Sequence, residues 1–254
     1  GVDMDRGGLL QRLTVAHGLP SDHVSSLCVD GRGRLWVGTL GGGVACVDRQ
    51  LDAVAKILGS ADGLPHLSVS GLALGPDDRL WGTTQGGGLF RVDLCGDRVD
   101  AVWTVADGLP SDTLFSCAFD RDGALWLGTA RGLARYLPTT GTCLVLGRPH
   151  GMPGDYCQQG ALRLDEQGRL WVGTTDGVAV VAPHDMPRAI PPCAVYLTGL
   201  RIMGQEREMV AGLEIEDTDY DLAIEYGALT FMAAAQVMYR TQLRGLESDW
   251  STPQ

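Results

Sequence analysis

The side chains that could do chemistry in this sequence are scattered, not grouped. Seven cysteines, Cys28, Cys46, Cys95, Cys117, Cys143, Cys157 and Cys193, could ligate zinc or act as nucleophiles. No two have Cys-x-x-Cys spacing and the number is odd, so a zinc site is disfavoured. They read as small apolar fillers of strands, and spacing selects no disulfide among them. The five histidines contain no pair at metal-ligand spacing. The nucleophile elbow, the His-Glu-x-x-His zinc motif and the phosphate loop are all absent. Gly41–Gly43 and Gly86–Gly88 would cradle phosphate only if a helix followed, and the sequence predicts hairpin turns instead. Asp120-Arg121-Asp122-Gly123 opens like a calcium loop, but the later ligands and the closing glutamate are missing. No metal and no cofactor is expected. The chemistry left is recognition by a mixed polar and aromatic set: His23, His66, Gln85, Asp112, Arg131, Tyr156 and Asp176. Such a set could bind a small polar ligand, a saccharide for example.

Those residues are singled out by the elements that must carry them. Four tryptophans, Trp36, Trp81, Trp126 and Trp171, stand 45 residues apart, each preceded by leucine. Three continue as Trp-x-Gly-Thr; the second reads Trp81-Gly82-Thr83-Thr84 and shifts the glycine. Gly18-Leu19-Pro20, Gly63-Leu64-Pro65 and Gly108-Leu109-Pro110 keep the same period. Gly151-Met152-Pro153 follows after 43, with two extra residues before its tryptophan. His17, Asp62, Asp107 and His150 precede these glycines and read as turn residues rather than a ligand ring. Within a repeat, short apolar segments alternate with turns. Four strands in about 45 residues is a β-propeller blade. A helical solenoid would need 3.6-residue spacing and few glycines.

Gly1–Asp5 and Leu9–Val15 read as the last strands of an earlier blade, and the fourth repeat as three strands ending near Val181. Residues 1–187 are therefore expected to be a partial propeller within a larger ring that has more blades upstream. A small closed ring of four or five blades is the alternative. Of the 36 glycines, 31 fall in this region, at its closely spaced turns. The prolines between Ala182 and Cys193 mark a boundary. Residues 188–254, with strands expected over Val195–Ile202, Leu213–Glu216, Leu222–Tyr226 and Tyr239–Leu243, read as an incomplete immunoglobulin-like sandwich. The chain is thus expected to be all-β throughout, and a piece of a longer protein.

Loops alternate between the faces of a propeller. With the strand after Gly-Leu-Pro innermost, the Gly-Leu-Pro loop and the loop after Gly-Thr share one face. Residues that differ among repeats on that face are free to bind, which selects His23, His66, Asp112 and Tyr156 from the first loop and Gln85, Arg131 and Asp176 from the second. The formal charge of −11 over 254 residues does not favour nucleic acid. No apolar run reaches the roughly 20 residues of a membrane helix.

The repeats resemble the two-component regulator propeller family. The third shows the pattern most fully: Gly108-Leu109-Pro110, Leu114, Asp120, Gly123, Leu125-Trp126, Gly128-Thr129, Gly132-Leu133 and Arg135-Tyr136. The last segment resembles the triple-tyrosine domain that follows such propellers, through Leu222, Ile224-Glu225-Tyr226, Leu229, Phe231, Tyr239-Arg240, Leu243, Gly245-Leu246 and Trp250. The resemblance implies the periplasmic sensor region of a bacterial receptor. It further implies anchoring to the inner membrane by a segment outside this chain, and a downstream histidine kinase or diguanylate cyclase. It makes the chain itself non-enzymatic, with a small polar ligand, a saccharide among them, and a homodimer through the C-terminal domain as partners. A propeller lyase and a passive protein-interaction scaffold are the alternatives.

Overall fold

Apolar segments of five or six residues, closed off by glycine and aspartate turns, can pair only with their neighbours in sequence, and the result is a series of antiparallel meanders. The computed structural model describes residues 1–6, 9–48, 53–186, 194–208, 221–229, 239, 241–243, 245 and 247–251. β1 (Val2–Arg6) pairs with β2 (Leu9–Leu13). The first full blade is β3 (Val24–Val29), β4 (Leu35–Thr39), β5 (Gly43–Val47) and β6 (Val54–Leu58). The second is β7 (Val69–Leu74), β8 (Leu80–Thr84), β9 (Leu89–Asp93) and β10 (Arg98–Trp103). The third is β11 (Leu114–Phe119), β12 (Leu125–Thr129), β13 (Gly132–Leu137) and β14 (Thr142–Leu146). The fourth has three strands, β15 (Cys157–Leu164), β16 (Leu170–Thr174) and β17 (Gly177–Val181). The molecule is all-β and built of propeller blades, as the 45-residue period requires.

The chain divides into two compact units, Gly1–Arg188 and Ala189–Gln254. In the second, β18 (Ala194–Ile202) lies between β19 (Gln205–Arg207) and β20 (Leu222–Leu229). Tyr226 and Tyr239 meet edge to face at 5.0 Å, and the Tyr239 hydroxyl accepts a bond of 2.9 Å from the Ala228 amide. The strand expected over Tyr239–Leu243 is not formed at its described residues. The Leu243 amide donates instead to the Glu247 carboxylate at 2.7 Å, and Thr241 bonds to Ser251, so local turns use the groups a ladder would need. The strand expected over Leu213–Glu216 lies outside the described residues, as do Cys193, Phe231, Arg240, Leu246 and the segment at residue 187.

In the first unit the innermost strand is the one after Gly-Leu-Pro. The Ser25 hydroxyl of β3 donates to the Val69 carbonyl of β7 at 2.6 Å, and Ser70 of β7 donates to Leu114 of β11 at 2.6 Å. Between the first two blades lie Trp36, Val44, Leu58, Leu64, Val69, Leu80 and Phe90. Between the next two lie Trp81, Leu89, Leu109, Leu114, Leu125 and Tyr136. The leucine of each Gly-Leu-Pro, methionine in the fourth, is the plug between adjacent blades; Leu19, Leu64, Leu109 and Met152 are all buried. Burying such a side chain contributes about 1.5–3 kcal/mol. The structural tryptophan follows suit: Trp36, Trp81 and Trp126 are 0%, 1% and 0% exposed, whereas Trp171, on the last blade's open face, is 42% exposed.

The shifted glycine of the second repeat has a packing cause. Ser26 lies where a Cβ on Gly38 would stand, Ser116 does the same to Gly128 and Ala161 to Gly173. In the second blade the pair is inverted: Thr83 occupies the space above Gly71. One strand or the other must be glycine at this crossing, and which one is free to vary.

Candidate functional site

The turn before each innermost strand is locked by its own side chains. Val15–His17, Ser60–Asp62, Val105–Asp107 and Arg148–His150 each form one turn of 3-10 helix. The amides of Thr14, Gly59, Thr104 and Gly147 donate to His17 Nδ1, Asp62 Oδ2, Asp107 Oδ2 and His150 Nδ1 at 2.9–3.2 Å. The glycine that follows ends the turn at positive φ, from 88° to 97°, where a side chain would be strained. These histidines and aspartates hold the turns, as read from the sequence.

The Asp-x-x-Gly turns are equally committed. Asp120 accepts from the Asp122 and Ala124 amides through Oδ1 and from the Trp126 indole through Oδ2, at 2.8–3.0 Å. Asp30 and Asp165 serve Trp36 and Trp171 in the same way, at 2.9 and 2.8 Å. Burial alone would raise the Asp30 carboxyl, but hydrogen bonds from Trp36 and Arg34 hold it below the ordinary carboxylate range. The Asp165 carboxyl is lowered to about 2, chiefly by the Trp171 indole and then by Arg169. The leading carboxylate of each of these turns is thereby committed to the turn and its tryptophan. The described cysteines are free thiols. Burial pushes Cys28 and Cys46 up to about 11 and Cys117 and Cys143 up to about 12, which removes thiolate character. Among the described residues no group of histidine, cysteine or carboxylate side chains could hold a metal ion. No helix is long and apolar enough to cross a membrane, again among the described residues.

The Gly-Leu-Pro loops and the hairpins after Gly-Thr form one rim. Within blades, the Leu40 amide donates to the His23 carbonyl, Gln85 to Ser68 and Thr175 to Tyr156, at 2.9–3.0 Å. Between blades, Gly43 donates to Leu67 and Gly88 to Asp112, each at 2.8 Å. The first two hairpins are thereby tied both to their own blade's loop and to the next, which gives a rigid support for side chains.

On this rim the seven candidate residues do different things. Gln85 Nε2 donates to Gln159 Oε1 at 3.2 Å, a partner that sequence reasoning missed. Tyr156 is 44% exposed and its ring lies 4.9 Å from that of Phe115. Asp176 pairs with Arg148 at 2.8 Å. Asp112 uses Oδ1 to accept from the Val105 amide at 2.8 Å, as Asp22 and Asp155 do for Val15 and Arg148. That carboxylate is a part of the repeat, and the 45-residue period aligns it with Asp22 rather than with His23. His66 is exposed and accepts the Ser68 amide through Nδ1 at 3.0 Å. His23 and Arg131 are exposed, and their side chains bond to no other described residue. The arrangement can present hydrogen-bonding groups and a ring to a ligand.

The family profile described as the two-component regulator propeller matches residues 18–41, about half of one 45-residue repeat of this chain. Among curated proteins, no sequence matches. The chain is similar to the extracellular domain of BT3049 from B. thetaiotaomicron, assigned to a hybrid two-component system. The TM-score is 0.64 at 22% identity, over 96% of this chain and 34% of that one. It is similar to the extracellular domain of BT4673 from the same organism, assigned to a one-component system, with a TM-score of 0.53 at 15% identity over 92% of this chain and 44% of that one. A streptogramin B lyase is similar over 76% of this chain and 64% of that one, with a TM-score of 0.52 at 18% identity. The chain thus spans about a third to less than half the length of the two extracellular domains. At these identities the likeness establishes the fold.

Proposed function

We propose that this chain belongs to the ligand-sensing, extracytoplasmic region of a bacterial two-component signalling receptor. Residues 1–187 form its propeller, within a larger ring, and residues 188–254 its triple-tyrosine, immunoglobulin-like domain. The observation that carries the reading is the match of residues 18–41 to the regulator propeller profile, on blades whose fold is that of two extracellular regulator domains. The chain binds and does not catalyse. Its ligand is a small polar molecule, an oligosaccharide being the favoured class, held by the loop rim. Binding shifts the arrangement of two copies through the second unit and passes the signal to a cytoplasmic kinase or cyclase, which needs different affinities in the two states. The region lies in the periplasm and is tethered to the inner membrane by a segment outside this chain.

The test is a thermal-shift screen of the full chain against neutral and acidic oligosaccharides, with a streptogramin B antibiotic as the comparison. A ligand of the native state raises the melting temperature by mass action. A shift with a saccharide and unchanged antibiotic supports sensing. Opening of the antibiotic ring by the protein would overturn it in favour of the lyase.

A further inference from the structure

The two residues by which the fourth repeat departs from its period enter the chain at one point. In the third blade only Phe115 separates Leu114, paired with Thr129, from Ser116, paired with Gly128. In the fourth, Cys157 pairs with Thr174, and Ala161 takes the place of Ser116 over the glycine of Trp-x-Gly-Thr. Gln158, Gln159 and Gly160 therefore occupy the place of one residue. Gly160 makes this possible with φ at 69°. The equivalents in the first two blades are Ser25 and Ser70, whose hydroxyls bind the next blade at the innermost strand. The bulge is thus on the axis side of its blade. It brings Gln159 to Gln85 across an intervening blade. Bulges re-aim side chains and gather near binding sites.

We infer that this bulge is a ligand-binding element, with Gln159 and Gln85 as a pair of carboxamides and Tyr156, its ring tilted against that of Phe115, as its apolar wall. It takes an uncharged ligand that carries both donors and acceptors. A carboxamide offers one acceptor and two donor hydrogens and no charge. Of the rim's carboxylates, Asp112 is engaged by the Val105 amide and Asp176 by Arg148, and the amides of Gln85 and Gln159 bond to each other, so the polar groups at the bulge itself are uncharged. The inference rests on the sensing role of this rim and adds Gln159, the bulge and the neutrality of the ligand.

Calorimetry on the full chain tests it, with maltotriose, cellotriose and xylotriose as neutral probes and trigalacturonate as the charged one. Gln159→Ala and Gln85→Ala are each expected to weaken a neutral probe about fivefold, the effect of one lost hydrogen bond. The double variant should lose less than the product of the two, since the residues act as a pair. Replacing Gln158-Gln159-Gly160 by one serine restores the register of the first two blades and should abolish binding. Should that variant fail to fold, the alanine variants carry the test. Neutral binding untouched by either alanine overturns the inference and leaves the sensing role standing, as does preference for trigalacturonate. If no probe binds at millimolar concentration, the sensing role fails and this inference with it.

Discussion

The second and third blades are cut from one pattern and secure the same tryptophan differently. In the third, Trp126 donates its indole N–H to Asp120, and Arg135 lies over its ring at 5.7 Å. In the second, Gly75 stands where the aspartate would be, and the buried Trp81 Nε1 has no hydrogen-bond partner among the described residues. The backbone turn survives: the Gly75 amide donates to the Arg79 carbonyl at 2.8 Å, as Asp120 does to Ala124 at 2.9 Å. Trp81 is held instead by stacking on Trp103, with centroids 4.8 Å apart, and by Arg91 at 5.5 Å. One blade uses a directional hydrogen bond and the other uses ring area. The repeat therefore specifies a filled inter-blade space more strictly than the contacts that fill it.

The largest effect that could break this comparison comes from removing the ring. Trp126→Ala should cost about 3–5 kcal/mol, the usual range for a fully buried tryptophan. Trp171→Ala should cost much less, because that ring faces solvent on the open side of the fourth blade. Denaturant unfolding followed by far-ultraviolet circular dichroism measures both. Equal costs would mean that the open face is covered in solution. Next comes Asp120→Ala, which leaves two turn amides and a buried indole N–H without their acceptor. A loss of about 2–3 kcal/mol is expected for such a group. Asp165→Ala should cost less, since its turn is more open.

Acid gives a smaller test of the same turns. A carboxylate whose native pKa is depressed stabilises above its unfolded pKa and loses that contribution as pH falls through the native value. For Asp165 the loss runs from the ordinary carboxylate range down to about 2, and for Asp30 it lies in the same direction. Unfolding midpoints measured between pH 5 and about 2 should therefore fall with pH. Asp30→Asn with Asp165→Asn should flatten that slope while keeping an acceptor for each indole. An unchanged slope would mean that these bonds do not persist in solution.

How much of this was legible depended on periodicity. Tryptophan every 45 residues and the Gly-Leu-Pro marks gave the blades and the innermost strand, because burial between blades admits few residue types; that the leucine of each mark is the inter-blade plug emerged only from the packing. The turns before each Gly-Leu-Pro were legible as turns, but not the side-chain bonds that close them. The rim was the hardest part. His66 and Asp112 stand out by residue type, yet the period places neither in register with His23. Asp112 serves the turn, a role visible only when Asp22 and Asp155 are seen doing the same. Gln159 was hidden in a two-residue irregularity whose position in the strand no spacing rule could fix.

The smallest expected effect is the most discriminating for the two tryptophans. Gly75→Asp restores the residue found in the other three turns and could be thought to rescue the Trp81 indole. A Cβ at Gly75, however, would stand 2.9 Å from Trp81 Nε1 and 2.3 Å from Asp77 Oδ1. The Asp77 carboxylate can swing away. The Trp81 ring cannot, being stacked on Trp103 and covered by Arg91. The hydrogen bond gained is offset by overpacking of similar size, so the net change should be a destabilisation of no more than about 1 kcal/mol. In Trp103→Ala the stack is gone and the ring is free to withdraw, so Gly75→Asp should then become stabilising relative to that background. The sign reversal in this double-mutant cycle is the measurement; an additive result would mean that stacking is not what fixes Trp81.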